Sequence, residues 1–127
     1  MNDYPQLHGL VGVQQTIPGP IKIIGERNKH LGPRIDFARV EIFVEPAEQF
    51  EVVDMVAADV GLRKFGYPEQ FVRGLLDELV NDREALITRV RITLESAKYD
   101  RIDSSLGAFF EAGCDAGRKI RRNISKD

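Results

Sequence analysis

Few side chains in this sequence have the type and spacing that metal binding or thiol chemistry needs. The only histidines are His8 and His30, which stand 22 residues apart with no second histidine or cysteine at ligand spacing. We therefore expect exposed polar side chains rather than a zinc site. The single cysteine, Cys114, cannot form an internal disulfide and has no histidine near it in the sequence. We expect a half-buried, inert thiol there, and we expect no metal and no cofactor.

Acid and base chemistry has equally little support. Two carboxylate pairs, Glu41 with Glu45 and Asp54 with Asp59, have the residue types for acid and base roles, but each pair also fits a solvated face. No nucleophile is coupled to a base, and no Gly-x-x-x-x-Gly-Lys-Ser/Thr phosphate loop occurs. We expect that the protein is not an enzyme. Catalysis ranks third among the functions considered, and it would need a pocket of converging titratable groups.

Charge is distributed unevenly along the chain, whose net charge is -2. Residues 46–85 hold four basic and nine acidic side chains, whereas residues 86–127 hold nine and six. This bias indicates one positively charged surface. The candidate residues of this secondary basic surface are Arg89, Arg91, Arg118, Lys119, Arg121 and Arg122. Such a cluster could bind RNA phosphates in a salt-dependent way. We favour the alternative, a helix end whose cations match the helix dipole and a frayed, soluble tail.

The clearest helix in the sequence begins near Asp103-Ser104-Ser105, which supplies three possible N-cap side chains. A core arc follows at helical spacing, made of Leu106, Phe109, Phe110, Gly113, Ala116, Gly117 and Ile120. Glycine in a helix interior costs about 1 kcal/mol against alanine, so Gly113 and Gly117 need a reason. We expect that the reason is close approach to a sheet.

The other elements follow from apolar periodicity. We predict strands over 10–17, 21–24, 34–45 and 86–94, with a polar loop or loosely paired hairpin tip over 25–33. An antiparallel return strand is predicted over 50–56, a helix from Pro68 to about Val80, and a short connection over 96–98. Strands, helix, strand and helix in this order predict an α+β two-layer sandwich, with a roughly four-stranded sheet and both helices on one face.

Length and composition predict one domain. We expect residues 1–10 to form a loose lead-in and residues 123–127 to form a tail. The sequence has no apolar run of the roughly 20 residues that a membrane span needs, and its first residues lack the basic start of a secretory signal. We expect a cytoplasmic protein that does not bind membranes.

Three segments of the chain resemble the fourth domain of the ribosomal translocase elongation factor G and of its eukaryotic counterpart, elongation factor 2. The most specific segment is Asp103-Ser104-Ser105 followed by Ala108-Phe109, within residues 99–120. The second runs from Gly32 to Val40 and on into Val44-Glu45-Pro46. The third, 11–17, is similar to that domain's first strand. The resemblance covers residues 11 to 122 and does not include the GTPase part of a translocase.

The resemblance implies the fold of the second domain of small-subunit ribosomal protein five, including its left-handed strand-helix-strand crossover. It also implies two tip loops at one end of the sheet, here 32–37 and 98–103, that reach RNA in the small ribosomal subunit. The residues carried over as RNA or ribosome contacts are Arg34, Phe37, Lys98, Tyr99, Asp100 and Arg101. Arg34, Lys98 and Arg101 are expected to pair with phosphates and Tyr99 to stack on a base, although solvated turn cations and a core-edge tyrosine are equally good interpretations.

The sequence departs from the family pattern at the tip. Pro33 and Ile35 stand where the family's first loop is glycine-rich, and the anionic Asp100 stands where the second loop usually has a histidine. The resemblance therefore predicts a non-catalytic, translation-factor-like domain that binds a ribosome or structured RNA through its tip loops. The departures and the acidic middle segment favour an alternative, a protein-interaction module on the same scaffold that has lost ribosome binding.

Overall fold

The computed structural model describes residues 14–56, 58–81 and 86–124. Within these ranges the elements in chain order are β1 (Gln14–Gln15), β2 (Ile21–Leu31), β3 (Arg34–Pro46), β4 (Glu51–Asp54), α1 (Val60–Phe65), α2 (Tyr67–Leu79), β5 (Leu86–Ile87), β6 (Val90–Lys98) and α3 (Leu106–Ile124). Strands β2, β3, β6 and β4 form a four-stranded sheet in that order, and β1 pairs with β5. Helices cover one face of the sheet, which confirms the predicted α+β two-layer sandwich.

Strands β2 and β3 form a long antiparallel hairpin. Its register runs from Ile21 opposite Val44 to Leu31 opposite Arg34, so only Gly32 and Pro33 lie in the turn. Gly32 has φ +65° and precedes a proline whose ring fixes a negative φ, the pattern of a type II′ turn, which matches the twist of the two strands. Of the two alternatives predicted for 25–33, the paired hairpin tip fits this register, and the polar loop is wrong for most of its length, because cross-strand pairing keeps these polar residues in the ladder.

The predicted return strand exists, but its predicted partner and direction are wrong. Strand β4 pairs in parallel with β6, with Glu51 opposite Arg91 and Asp54 opposite Leu94. Both edges of β3 are already occupied, by β2 and by β6, so β4 cannot pair with β3, and it joins the sheet at the far edge of β6. Parallel neighbours need a crossover, which here contains α1, α2 and β5. The left hand implied for this crossover stays a prediction.

The strand predicted over 86–94 is divided in two. After β5, the backbone N–H groups of Thr88 and Arg89 both donate to the carbonyl of Gln15, and β6 then begins at Val90. Strand β6 continues through the predicted connection to Lys98, past a register shift opposite Glu41 and Ile42. The strand predicted over 10–17 is confirmed only at β1, since residues 10–13 lie outside the described ranges. Residues 1–10 of the predicted lead-in lie outside them too.

Helix α2 confirms the predicted helix from Pro68, whereas the six-residue α1 was not predicted. Helix α3 extends through Ile124, past the predicted domain end at residue 122, and residues 125–127 of the predicted tail are not described. A Cβ atom added at Gly113 would overlap the Phe71 carbonyl oxygen of α2, and one at Gly117 would meet Glu78 of α2. The expectation that these glycines face a sheet is therefore wrong, because they allow close packing of α3 against α2.

A second face of α3 does lie on the sheet. A Cβ atom added at Gly25 of β2 would lie 2.5 Å from the Ala112 carbonyl oxygen and 2.9 Å from the Ala116 Cβ of α3. The small residue that permits this approach is thus on the strand. The two helices and the sheet enclose a core that includes the fully buried side chains of Phe71, Phe109, Ile42, Leu75, Ile92 and Leu94.

Candidate nucleic-acid interface

The two predicted tip segments lie side by side at one end of the sheet. The backbone N–H of Phe37 donates to the carbonyl of Asp103 at 2.9 Å. The Ser104 hydroxyl donates to the Phe37 carbonyl at 2.6 Å. These two bonds join the β3 end of the hairpin to the loop that follows β6. Residues 28–37, together with 98–104, are called the tip below.

The loop after β6 is held by a carboxylate within it. The Asp100 Oδ1 atom accepts hydrogen bonds from the backbone N–H groups of Ile102 at 2.8 Å and Asp103 at 3.0 Å. The Asp100 N–H in turn donates to the Ser104 hydroxyl at 2.8 Å. The N–H of Asp103, and then that of Ile102, lower the pKa of the Asp100 carboxyl by stabilising its anion. Asp100 therefore fixes the turn, which differs from the RNA contact implied by the resemblance.

An open groove of about 550 Å³ lies between the hairpin and this loop. Its lining is Asn28, Ile35, Phe37, Ala97, Lys98, Tyr99, Asp100 and Asp103. Phe37 and Ile35 give it an apolar part, and the half-buried Phe37 ring is the tip residue that the resemblance placed at a binding surface. The charged groups in the lining are two aspartates and one lysine, so the groove itself has no positive field.

The cations of the tip divide into paired and unpaired groups. Arg34 is bridged to Asp36 at 3.1 Å, and Arg27 approaches the same carboxylate at 3.6 Å. The Arg34 side chain is nevertheless 70% exposed, so its guanidinium can still reach a phosphate. Lys29, Lys98 and Arg101 are exposed and form no ion pair with any described residue.

The Tyr99 side chain packs against the core and does not extend freely into solvent. Its ring lies 5.9 Å from that of Tyr67 between centroids, and its hydroxyl lies where a Cβ atom at Gly61 would have to be. The Tyr67 ring stacks in turn on Phe109, with centroids 4.4 Å apart. Tyr99 is half-buried against the core. Of the two interpretations left open by the sequence, the core-edge tyrosine fits this geometry, and a free stacking platform does not.

The secondary basic surface predicted from the sequence is divided between two layers. Arg91 lies on the outer face of the sheet, where it pairs with Glu51 at 2.9 Å and with Glu45 at 3.6 Å. The hydrogen bond to Glu51 is the main cause that raises the pKa of the Arg91 guanidinium. Arg89 precedes this strand and is exposed. The sheet therefore separates Arg91 from the cations of α3.

The α3 cations are largely engaged within the fold. Arg118 pairs with Glu78 at 3.2 Å, and Arg121 donates to the carbonyls of Glu78 and Leu79 at the C-terminal end of α2. Lys119 pairs with Asp115, and Arg122 is exposed in the last turn. A dipole-matched helix end therefore describes this group better than an RNA-binding patch.

One exposed apolar residue of the tip was not identified from the sequence. Ile102 is 90% exposed, and it lies between Arg101 and Asp103 in the turn that Asp100 fixes. The available signal was an isolated isoleucine outside both the strand period of β6 and the helical period of α3.

Other candidate chemistry is limited. Cys114 is buried, more deeply than the predicted half-buried position. Burial is the main cause that raises the pKa of its thiol to about 11, followed by the charge of Glu111, and a raised pKa lowers the fraction of reactive thiolate. Among residues 14–56, 58–81 and 86–124, no group of three or more His, Cys, Asp or Glu side chains could hold a metal ion. No helix in those same ranges is long and apolar enough to cross a membrane.

Comparison with known proteins shows that this fold is similar to part of a solved structure. No family model matches the sequence, and no curated protein matches it either. Among solved structures, the crystal structure of a protein from Thermus thermophilus matches with a TM-score of 0.68 at 18% identity. The match covers 86% of this chain and 16% of the Thermus chain. At this identity the likeness shows the fold alone, and the matched region is a small part of a longer Thermus protein.

Proposed function

We propose that this chain is a non-catalytic, translation-factor-like domain that binds a ribosome or structured RNA through its tip. The single observation that carries the proposal is the meeting of residues 32–37 and 98–103 at one end of the sheet. There the Phe37 N–H bonds to Asp103, and Lys98 and Arg101 have no acidic partner among the described residues. The resemblance to the fourth domain of elongation factor G, from which this meeting was expected, also supports the proposal and stays a prediction.

The tip is more basic than the chain as a whole. The tip holds four basic residues against three aspartates, whereas the whole chain has a net charge of -2. Asp100 has its Oδ1 atom bonded to two backbone N–H groups, and Asp36 is bridged to Arg34, so these carboxylates repel a phosphate less than free ones would. Three unpaired lysine and arginine side chains give a modest binding site whose affinity falls with salt, with a slope of about -2 in log K against log salt for single strands.

The test uses matched charge removal. Lys98→Ala with Arg101→Ala removes two unpaired tip cations, and Arg73→Ala with Arg122→Ala removes two exposed cations from the helices at the same cost in net charge. We expect wild-type protein and the helix variant to co-sediment with small ribosomal subunits at low salt and to bind stem-loop RNA by fluorescence anisotropy. The tip variant should bind at least about ten-fold more weakly.

Two results would contradict the proposal. Wild-type protein that neither co-sediments with ribosomal subunits nor binds RNA at low salt would rule it out. A helix variant that loses as much affinity as the tip variant would move the binding surface to α2 and α3.

A specific observation also favours the second function considered, a protein-interaction module. The groove between the tip segments presents two aspartates and one lysine around apolar side chains, which suits a peptide with a cationic and an apolar side chain better than it suits a phosphate. A stable, specific protein complex recovered after nuclease treatment, and weakened by Phe37→Ala but not by Lys98→Ala, would support this module over RNA binding.

A further inference from the structure

The exposure of Ile102 is exceptional among the apolar side chains of this fold. It is 90% exposed, whereas Met55 is 66% exposed and the other exposed large apolar side chains in the described ranges lie at 49% or below. An isolated exposed apolar side chain is ordinary on a protein surface. Ile102 differs because the backbone that presents it is fixed.

Four hydrogen bonds that involve side-chain oxygens help to hold the turn that carries Ile102. The Asp100 carboxylate accepts from the N–H of Ile102 itself and from that of Asp103. Ser104 accepts from the Asp100 N–H and donates to the Phe37 carbonyl of the neighbouring strand. The side chain is thus presented on a turn tied to the sheet, and a ligand that contacts it need not order the loop first. Preorganisation of this kind raises affinity, because little entropy remains to be lost on binding.

The loop around Ile102 holds two aspartates, Asp100 and Asp103, and two cations. The Asp100 Oδ1 atom is already bonded to two backbone N–H groups, so the two cations can still attract a polyanion with an apolar face. Arg101 is its sequence neighbour and Lys98 begins the same loop, and neither has an acidic partner in the described part of the chain. Nucleic acid combines negative phosphates with flat apolar bases. A base within a continuous RNA duplex is stacked on both faces, whereas a bulged or loop base exposes a face to a protein side chain. In DNA complexes, aliphatic side chains such as isoleucine insert between base steps and partly unstack them, so an aliphatic side chain can pack on the face of a base.

We propose that the RNA recognised by this tip carries an unstacked nucleotide, and that Ile102 packs against the face of its base while Lys98 and Arg101 contact the flanking phosphates. This inference rests on the proposed RNA-binding function and narrows its ligand from structured RNA in general to RNA with an exposed base. It gives Asp100 a positioning role, because its carboxylate holds the Ile102 backbone.

The experiment compares two RNA probes of nearly equal charge. One is a short, fully paired duplex, and the other is the same duplex with a single bulged 2-aminopurine, whose fluorescence reports changes in base stacking. The protein variants are Ile102→Ala, Lys98→Ala and Met55→Ala, the last being a matched exposed apolar control. Each is a surface change that leaves the core intact.

Wild-type protein should prefer the bulged duplex and change its 2-aminopurine fluorescence. Ile102→Ala should bind the bulged duplex about five- to ten-fold more weakly and bind the paired duplex as wild type does. The factor by which Ile102→Ala weakens binding should stay the same as salt rises, because an apolar contact releases no counterions. Lys98→Ala should instead weaken both duplexes and reduce the salt slope by about 0.7 to 0.9. Met55→Ala should match wild type.

The possible failures are distinguishable. If Lys98→Ala weakens binding while Ile102→Ala equals wild type on both probes, RNA binding stands and the contact with an unstacked base is wrong. An equal loss on both probes for Ile102→Ala, or the same loss for Met55→Ala, also overturns the inference. Wild-type protein that binds neither RNA overturns this inference together with the proposed function. Binding of a protein partner that depends on Ile102 in the absence of RNA would assign the residue to a different class of ligand.

Discussion

The contact between α2 and α3 and the tip are built in opposite ways. Between the helices, backbone meets backbone: a Cβ atom at Gly113 would overlap the Phe71 carbonyl oxygen, and one at Gly74 would overlap that of Phe110. At the tip, hydrogen bonds fix the backbone while the side chains of Ile102 and Lys98 extend into solvent. Substitution should therefore change stability at the first region and binding at the second.

The largest effect is expected at Gly113. Gly113→Ala places a methyl group where the Phe71 carbonyl and the Leu75 N–H of α2 already are, so the two helices must separate. Overpacking costs exceed the gain of about 1 kcal/mol in helix propensity, and we expect the free energy of unfolding to fall by about 3 kcal/mol. Urea denaturation followed by circular dichroism measures the change.

Gly107 provides the matched control on the same helix. It is exposed, and the nearest atom to an added Cβ is the Ser105 hydroxyl at 3.8 Å, so alanine fits. Gly107→Ala should leave stability unchanged or raise it by up to about 1 kcal/mol. A Gly113→Ala protein as stable as the Gly107→Ala protein would show that α2 and α3 pack more loosely than described.

A smaller effect is expected where α3 covers the edge of the sheet. The Asp115 Oδ2 atom accepts from the Glu26 N–H at 3.0 Å, and Lys119 donates to the Ile24 carbonyl at 2.6 Å. The i,i+4 ion pair between Asp115 and Lys119 thus also occupies outward-facing backbone groups of edge strand β2. Asp115→Ala should lower the free energy of unfolding by about 1 to 2 kcal/mol, measured by urea denaturation.

Exposure of that edge should have a second consequence. An uncovered strand edge pairs with other chains, so Asp115→Ala should also increase association, measured by light scattering at rising protein concentration. Glu111→Ala is the control, since Glu111 is an exposed acid on the same helix with no hydrogen bond to the strand. If both variants lose equal stability, the effect is one of net charge and not of the bond to Glu26.

The two regions also differ in how far sequence could predict them. Helical periodicity located α2 and α3, and the helix-interior glycines correctly indicated a close backbone approach. However, a glycine does not indicate which other backbone approaches it. The sheet was therefore predicted as the packing partner of Gly113, whereas the partner is α2. Strand β4 was located but paired wrongly, because pairing depends on which strand edges the rest of the chain leaves free. The short α1 has too few residues for a period to show.

At the tip, residue types were less informative than family resemblance. The resemblance predicted that 32–37 and 98–103 would be neighbours, which periodicity cannot do for segments so far apart in sequence. It could not show that Tyr99 packs on Tyr67 or that Asp36 bridges Arg34, since these contacts depend on side-chain directions in the folded chain. From sequence alone, only the charge of Asp100 could be considered. Its hydrogen bonds to the Ile102 and Asp103 N–H groups exist only once the turn has formed, so the sequence could not indicate them.

The smallest expected effect concerns the pH dependence of the tip. The pKa of Asp100 lies below its usual 3.8 because the N–H groups of Asp103 and Ile102 stabilise the carboxylate. The folded chain therefore binds this proton less readily than the unfolded chain. The contribution of Asp100 is fully present well above pH 3.8 and is lost as pH falls through the lower folded value.

Nuclear magnetic resonance titration of the Asp100 carboxyl carbon measures this directly, and the Ile102 amide should shift with the same midpoint because its N–H donates to Oδ1. Asp100→Asn keeps an oxygen acceptor but removes the charge, so stability at neutral pH should fall slightly and the drop on acidification should be shallower than in wild type. A folded Asp100 that titrates at or above 3.8 would mean that its carboxylate does not fix the turn, and the contrast between a preorganised tip and a merely exposed loop would then fail.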